Sequence, residues 1–455
     1  MTKNDIIQLK IASMTSDGDG VGRTDDGMVV FVPNSAVGDV LNVRILKVKK
    51  TVAYGKIEGI ITPSADRIAP DCDVCHQCGG CVYRHISYDA ELRLKRQKVV
   101  DAITRIGMLS KDLVKDIIPS KNMDAYRNKA QIPLSLDPSG KPQMGYYARH
   151  SHRIVQKIVC RLSPEIFNAI AADFYSFLEK YPQLIYNANN RKGIRHLYLR
   201  YAESAGDVMV CIVAGKDDFL HSGELFHSLT EKYPQIKSIV INVNPDDTNV
   251  ILGRKNRAVY GESYITDTLC GLSFDISPLS FYQVNRSTAE MLYQKAKEYA
   301  ALSGDEVLLD LYCGAGTIGL SMAGECRELV GAEIIPDAVK NAQKNAEKNG
   351  ITNARFLCAD AAEAAEKLKE EGIRPDVIVV DPPRKGLSLE LIDTICEMSP
   401  ERVVYVSCDP ATLARDLKLF TEKNYSVKEI TPVDMFPRTS HCESACLMSR
   451  EKPHQ

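Results

Sequence analysis

The chemistry-bearing residues of this chain fall into three groups: a lone thiol, a glycine-rich turn with acids spaced after it, and a run of cysteines. Cys408 stands in VVYVSCDPATLARDL (Val403–Leu417), where a β-branched apolar run gives way to a helix-forming stretch. A structural cysteine ordinarily packs inside such a run as a small hydrophobe. On its lip, Cys408 sits where open α/β sheets keep ligands, outside the carboxyl ends of the strands, and a thiolate there is a nucleophile. LLDLYCGAGTIGL (Leu308–Leu320) sets Gly314, Gly316 and Gly319 at a strand-to-helix turn. Glycine lets backbone approach a ligand, and a helix start presents free N–H groups. Glu333 ends the next strand, placed to accept hydrogen bonds from ribose hydroxyls. Asp360 ends the third, on the side of a base, and Asp381-Pro382-Pro383 follows the fourth. The glycine turn alone would equally suit a dinucleotide enzyme. CDVCHQCGGC places Cys72, Cys75, Cys78 and Cys81 at C-x2-C steps, which suit an iron–sulfur cluster, with zinc as the alternative. So many free thiols in so short a stretch would otherwise be an oxidation liability.

The order of glycine turn, strand-end Glu333, strand-end Asp360 and Asp381-Pro382-Pro383 resembles class I S-adenosylmethionine-dependent methyltransferases. A thiol beside a methyl donor suits one kind of acceptor. C5 of uracil is a poor nucleophile until a thiolate adds at C6 and makes an enolate. C5 can then take a methyl group, and a base must remove the C5 proton before the thiolate leaves. That divides one difficult step into easier ones. Cys408, Glu443, Asp381 and Gln283 supply the thiol, the base and the polar groups for a pyrimidine edge. Glu443 taken alone is equally an ordinary surface acid.

SFYQVN, DLYCGAGTIGL, DPPRKG, SCDPATLARDL and HCE together resemble the RNA (uracil-5-)-methyltransferase family, and the N-terminal barrel is similar to a TRAM domain. The resemblance implies Cys408 as nucleophile and Glu443 as the proton-removing base. It implies cofactor contacts at Gln283, Tyr312 and Asp381, beside Gly314, Glu333 and Asp360. The target base is expected to flip out of its stack to reach the pocket. His441 is left open between orienting Glu443 and a structural role. Cys313, Cys358, Cys442 and Cys446 are read as small hydrophobes.

Spacing does not identify the cluster ligands, and the simplest reading takes all four cysteines of the run. The family resemblance implies instead Cys72, Cys78, Cys81 and the distant Cys160, holding a [4Fe-4S] cluster, with Cys75 extra to the pattern. The C-x3-C-x2-C spacing of radical chemistry is absent, so the cluster is assigned to folding or RNA placement.

The elements that must position these groups divide the chain in three. Residues 1–60 alternate short β-rich runs with Gly, Asn and Asp turns, as in an OB-like barrel. Residues 61–280 mix strands and helices around the cysteine run, and form a central RNA-binding domain. YRNKAQIPL and MGYYARHSHRIV combine aromatic and basic side chains there, as RNA contacts do. Residues 281–455 alternate near-continuous apolar strands with helices, which means a parallel sheet covered on both faces. SYDAELRLKRQKVVDAITRIG reads as a helix capped by Ser87 and is expected to pack on the catalytic domain. Leu92, Val99, Ile103 and Ile106 share one face; Arg93, Lys95, Arg96 and Lys98 are expected on a solvated surface. The fold class is thus α/β: a class I Rossmann-like domain, a central α+β domain and a barrel.

The chain has 455 residues, 44% hydrophobic and 25% charged, with a formal net charge of −2. A globular core is expected, and any nucleic-acid site must be locally basic. No apolar run approaches the roughly 20 residues that cross a bilayer, and no secretory leader is evident. The 14 cysteines then belong to a reducing, cytoplasmic setting. The resulting expectation is a monomeric S-adenosylmethionine-dependent enzyme that methylates C5 of uridine in 23S rRNA, with no DNA or membrane partner. Its rivals are the tRNA T-loop enzyme of the same family, an adenine amino-methyltransferase and a non-enzymatic iron–sulfur RNA-binding sensor. Arg384 replaces the aromatic residue that an amino-methyltransferase motif carries.

Overall fold

The computed structural model describes residues 1–246 and 248–451. The N-terminal strands β1 (Ile6–Met14), β2 (Gly20–Arg23), β3 (Val29–Val32), β4 (Val40–Val48) and β5 (Val52–Thr62) close a barrel in the order β1-β2-β3-β5-β4. Alternation decides its interior: Leu9, Ile11, Leu41, Val43 and Ile45 point inward and are buried, with polar neighbours outside.

The cysteine run follows, and then α1 (Tyr88–Arg105). Ser87 caps α1 by accepting the Ala90 N–H. Val99, Ala102 and Ile103 bury against the catalytic sheet, while Ile106 is exposed. The expected solvated face does not hold for Lys95. Its ammonium is fully buried, bonded to Glu91 at 2.7 Å and Asp434 at 2.6 Å. Ion pairing lets a charge stay inside where a solvated one could not.

The central sheet has the order β12-β11-β10-β9-β6-β7-β8, built from β6 (Lys129–Leu136), β7 (Pro142–Tyr147), β8 (Ile154–Gln156), β9 (Ile194–Ala202), β10 (Asp207–Ala214), β11 (Ile236–Val243) and β12 (Lys255–Gly261). Helices α2 (Glu165–Lys180) and α3 (Ser222–Lys232) cover one face, burying Phe167, Phe174, Leu225 and Leu229. The other face shares a core with the catalytic region: Tyr198, Met209 and Cys211 pack in one cluster with Leu292 and Leu308. A hairpin, β13 (Ile265–Leu269) and β14 (Leu272–Ile276), adds Phe274 and Ile276 to that cluster.

The catalytic region begins with α4 (Arg286–Ala300). Its sheet comprises β15 (Val307–Leu311), β16 (Glu328–Glu333), β17 (Ala354–Cys358), β18 (Val377–Val380), β19 (Arg402–Ser407), β20 (Tyr425–Val433) and β21 (Glu443–Arg450). The order is β17-β16-β15-β18-β19-β21-β20, with β21 antiparallel to both neighbours. VLLDL and VIVV are buried along their whole length, as strands covered on both faces require. Helices α4, α5 (Thr317–Met322) and α6 (Pro336–Lys348) cover one face. The other is covered by α7 (Ala361–Glu370), α8 (Leu389–Met398) and α9 (Pro410–Thr421), with α1 filling the place beside α9. Reversal between β15 and its two parallel neighbours opens a crevice at the carboxyl ends.

Candidate active site

The topology brings Cys408 and Glu443 together. Strand β19 ends at Ser407, whose register partner on the antiparallel β21 is Ser444. Cys408 is one residue past that pair and Glu443 one residue before it, so the exit of one strand meets the entry of the other. On the opposite side Tyr405 pairs with Val380 of β18, which brings Asp381 alongside. The turn after Cys408 is fixed: the Ser407 hydroxyl accepts the Asp409 N–H at 3.2 Å, and Asp409 caps α9 by accepting the N–H groups of Ala411 and Thr412 at 2.9 and 3.1 Å. Pro410 then starts the helix where a missing N–H does no harm.

The electrostatics follow from this crowding. Burial pushes the Glu443 carboxyl up to about 8, Asp381 adds to it, and Arg384 opposes it. Burial alone pushes Asp381 up to about 7. The Cys408 thiol rises to about 11 through burial first, then through the charges of Glu443 and Asp381, with Arg384 opposing. An amine of Arg384 lies 3.5 Å from Nδ1 of His441. Burial, then Arg384 and other nearby cations, hold His441 down at about 4, so its ring is neutral and can accept the Arg384 N–H. Cys442 and Cys446 are fully buried and Cys313 nearly so, as small hydrophobes are. Cys358 is not: it ends β17 at the sheet edge and is exposed, because an edge strand has no neighbour to cover it.

The adjoining turn is built for a ligand. Tyr312, Gly314 and Gly316 all take left-handed backbone, with φ of 66°, 55° and 82°. A Cβ at Gly314 would meet nothing within 4 Å, so that stretch of backbone is open to approach. The Glu333 carboxylate accepts the Gly314 N–H at 3.1 Å and the Ile335 N–H at 2.8 Å. Asp310 accepts the Gly319 N–H at 2.9 Å through one oxygen, while its other oxygen is buried with no partner. A Cβ at Gly319 would stand 2.7 Å from the Asp310 carboxylate, so only glycine allows the contact. Burial pushes Asp310 up to about 7, with Asp381 and Glu333 adding their charges. Asp360 caps α7 through the Glu363 N–H at 2.9 Å, and Ile334 and Ile335 are exposed after Glu333. Gln283 is buried just before α4, its carbonyl accepting from the Asn128 amide at 2.8 Å. An orphaned acid oxygen, open backbone, a strand-end carboxylate and exposed isoleucines fit a ligand with an ammonium, ribose hydroxyls and a flat ring, as S-adenosylmethionine has. Asp310, buried beneath the turn and bonded to the Gly319 N–H, is a residue supporting the turn that sequence reasoning passed over; its signal was a lone acid within an otherwise apolar strand.

The cysteine run is tied to the loop before Glu443: the N–H groups of Val82 and Tyr83, just past Cys81, donate to the Arg438 carbonyl at 2.7 and 3.1 Å. Arg84, buried, pairs with Asp71 at 2.8 Å and Asp124 at 2.5 Å; Arg161 meets the same two acids at 2.9 and 3.2 Å. This network ties the residue before Cys72 to the residue after Cys160. Cys160 is close enough to raise the thiols of Cys78 and Cys81, though burial is the larger cause for both. The Cys75 thiol is raised by burial first and then by Cys72 and Asp71, with Arg84 opposing. Among the described residues no three His, Cys, Asp or Glu side chains converge tightly enough to hold a metal ion. Among the same residues no helix is long and apolar enough to cross a membrane.

Residues 243–451 match the family model described as tRNA (Uracil-5-)-methyltransferase, and residues 2–57 match the TRAM domain. An uncharacterized RNA methyltransferase of Halalkalibacterium halodurans is 40% identical over 449 residues, covering 98% of both chains. One of Clostridium acetobutylicum is 40% identical over 451 residues, again with 98% of each chain covered. Among solved structures, the Pyrococcus abyssi tRNA (uracil-54, C5)-methyltransferase in complex with S-adenosyl-L-homocysteine superposes with a TM-score of 0.77 at 27% identity, covering 97% of this chain and 100% of that one.

Proposed function

This chain belongs to the tRNA (uracil-5-)-methyltransferase family of RNA methyltransferases, and from that premise we propose that it methylates C5 of uridine in 23S rRNA by covalent catalysis. The observation that carries the mechanism is the meeting of Cys408 and Glu443 across β19 and β21, with Asp381 beside them. Cys408, as thiolate, adds to C6 of the flipped uracil; the S–C6 bond forms and the C5–C6 π pair moves to make an enolate. S-adenosylmethionine, when bound, supplies the electrophilic methyl that C5 takes. Glu443 accepts the C5 proton, the C5–C6 double bond re-forms, and the C6–S bond breaks to free Cys408. A carboxyl pushed up to about 8 is a stronger base than an ordinary one, and its poise near neutrality suits it to hold and release one proton. Asp381 is placed to accept from the pyrimidine edge. The cofactor set in this reading is Gln283, Tyr312, Gly314, Glu333, Asp360 and Asp381, with Asp310 buried beneath the glycine turn and bonded to Gly319.

A [4Fe-4S] cluster held by Cys72, Cys78, Cys81 and Cys160 is part of the same reading, with the Arg84–Asp71–Asp124–Arg161 network as its support. It stands outside the polar chemistry and serves folding or RNA placement. The reading places the enzyme in the cytoplasm, where its RNA and cofactor meet. The full-length likeness to a tRNA (uracil-54, C5)-methyltransferase favours a second reading, the tRNA T-loop.

The test is methyl transfer to purified 23S rRNA fragments and to tRNA, with wild type, Cys408→Ala and Glu443→Gln. Cys408→Ala retains binding of S-adenosyl-L-homocysteine and loses turnover by about 10³-fold or more. Glu443→Gln accumulates a protein–RNA adduct on a denaturing gel, because addition and methylation proceed while elimination stalls. Normal turnover by Cys408→Ala overturns the mechanism; transfer to tRNA alone overturns the rRNA assignment.

A further inference from the structure

A cation without an acid stands in the cysteine pocket. The Arg127 N–H donates to the Leu162 carbonyl at 2.9 Å and the Ala125 N–H to the Arg161 carbonyl at 2.8 Å, so this segment runs along the chain just past Cys160. The Asn168 side chain holds Cys160 itself, accepting its N–H at 2.8 Å and donating to its carbonyl at 3.2 Å. Cys78 forms a β-bridge with Ala148, and the Gly79 N–H donates to the Tyr147 carbonyl at 2.9 Å. Distant segments thus bring Cys78, Cys81 and Cys160 around the Arg127 guanidinium, which acts electrostatically on all three. Lys157, paired with Asp73 at 2.6 Å, is in turn near both Cys72 and Cys160.

The charges of this pocket do not balance while the cysteines are thiols. Arg84 and Arg161 share Asp71 and Asp124, two cations on two acids. Among the described residues Arg127 has no carboxylate within 4.0 Å, and its Nε is buried with no hydrogen-bond partner. A buried charge is costly unless it is paired. Protonated, the neighbouring cysteines are neutral and offer no pairing. Bound as thiolates to a [4Fe-4S] core they form a unit of net charge about −2, which reduction takes to about −3. A tetrathiolate zinc site carries about −2 as well. Among the described residues the thiols do not close to ligand distance. What fits the group is the orphaned guanidinium, because it supplies a charge that a loaded site needs and that free thiols do not.

We propose that Arg127 is the counter-cation of the metal–thiolate site, facing the thiolates of Cys78, Cys81 and Cys160. This role rests on the cluster assignment above. Net charge and hydrogen bonds to the sulfurs set the potential of an iron–sulfur cluster. A guanidinium with no acid of its own beside them favours the reduced, more negative form and helps hold the loaded site together.

The test is a redox titration of the full-length protein, purified without oxygen and reduced stepwise with dithionite, in wild type, Arg127→Gln and Arg127→Lys. The readout is the electron paramagnetic resonance signal of the reduced cluster. Removing a cation disfavours the more negative form, so Arg127→Gln lowers the midpoint. The expected change is about tenfold in the reduction equilibrium, or about 59 mV for one electron. Arg127→Lys keeps the charge and the wild-type midpoint. Affinity for S-adenosyl-L-homocysteine, measured by calorimetry, stays unchanged and shows that each variant is folded. If Arg127→Gln purifies without iron, iron content gives the reading: retention by Arg127→Lys supports the counter-cation, and loss from both variants overturns it. A wild-type midpoint in iron-loaded Arg127→Gln overturns the counter-cation and leaves the cluster standing. If the wild type holds zinc, the iron assignment falls; zinc loss to a chelator several-fold faster from Arg127→Gln than from Arg127→Lys then supports the counter-cation, and equal rates overturn it. A wild type that binds neither metal overturns both the cluster reading and the role of Arg127.

Discussion

Lys95 and Asp434 lie 339 positions apart in sequence and 2.6 Å apart in space, with both side chains shut away from solvent. Glu91 completes the site: it accepts from the Lys95 ammonium at 2.7 Å and from the Arg438 backbone N–H at 2.6 Å. Lys95 also donates to the Phe436 carbonyl at 3.0 Å, and Tyr88 donates to Asp434 at 2.7 Å. One turn further on, Lys98 donates to the Ser440 carbonyl at 3.1 Å. Helix α1 therefore holds the whole loop from Asp434 to Ser440 that delivers His441 and Glu443.

Replacing Lys95 with Met follows directly from that arrangement. It strands Glu91 and Asp434 as buried carboxylates without their cation, and breaking such a pair costs about 3–5 kcal/mol. Urea unfolding of Lys95→Met should show a loss of that order. Turnover should fall further than RNA affinity does, because the loop carrying the base loosens while the central sheet is untouched. A variant as stable as wild type would mean the clamp contributes nothing net.

This clamp also marks what the sequence could not disclose. The parallel strands were legible because VLLDL, VIVV and VVYVS are continuous apolar runs, and a strand buried on both faces needs nothing else. Cys408 was legible because it breaks its run at the carboxyl end. The basic face of α1 was not, since Arg93, Lys95, Arg96 and Lys98 read alike until the fold decides that one of them meets Asp434. Glu443 came from resemblance; its place beside Cys408 depends on β21 running against β19, a register no local pattern encodes.

The reactivity of Cys408 should report its neighbours. With its thiol pushed up to about 11 by burial and by Glu443 and Asp381, alkylation by iodoacetamide should still be climbing above pH 9. Removing a negative neighbour favours the thiolate, so Glu443→Gln moves the profile to lower pH. Arg384→Gln removes a cation and moves it higher. The measurement is mass-spectrometric alkylation of the Cys408 peptide in a background where the exposed Cys270 and Cys358 are Ser. Superimposed profiles in all three proteins would show that these charges do not reach the sulfur.

Stability should fall as pH rises through neutrality. Asp310 and Asp381 are pushed up to about 7 and Glu443 to about 8, against roughly 4 in an unfolded chain. Between those limits the folded state binds more protons than the unfolded one, so unfolding free energy declines with pH. The contribution of these acids is fully present below about pH 4 and is lost as pH climbs to about 8. Asp381→Asn removes one titrating group and should flatten the decline in urea midpoints measured without ligand. A slope equal to wild type would remove Asp381 from the account.

The cluster ligands separate by substitution. The ion pairs of Arg84 and Arg161 with Asp71 and Asp124 fasten the Cys72 end of the loop to the Cys160 end. If Cys160 is the fourth ligand, Cys160→Ala loses iron and its visible absorption, and Cys75→Ala keeps both. Losing the cluster also releases the staple between two distant segments, so Cys160→Ala should unfold at lower urea than Cys75→Ala. Chelation of iron from the wild type should reproduce the Cys160→Ala midpoint, because metal binding and folding are linked. The opposite pattern, with Cys75→Ala colourless and Cys160→Ala brown, would move the fourth ligand into the short run; a colourless wild type containing zinc would replace the cluster by a tetrahedral thiolate site.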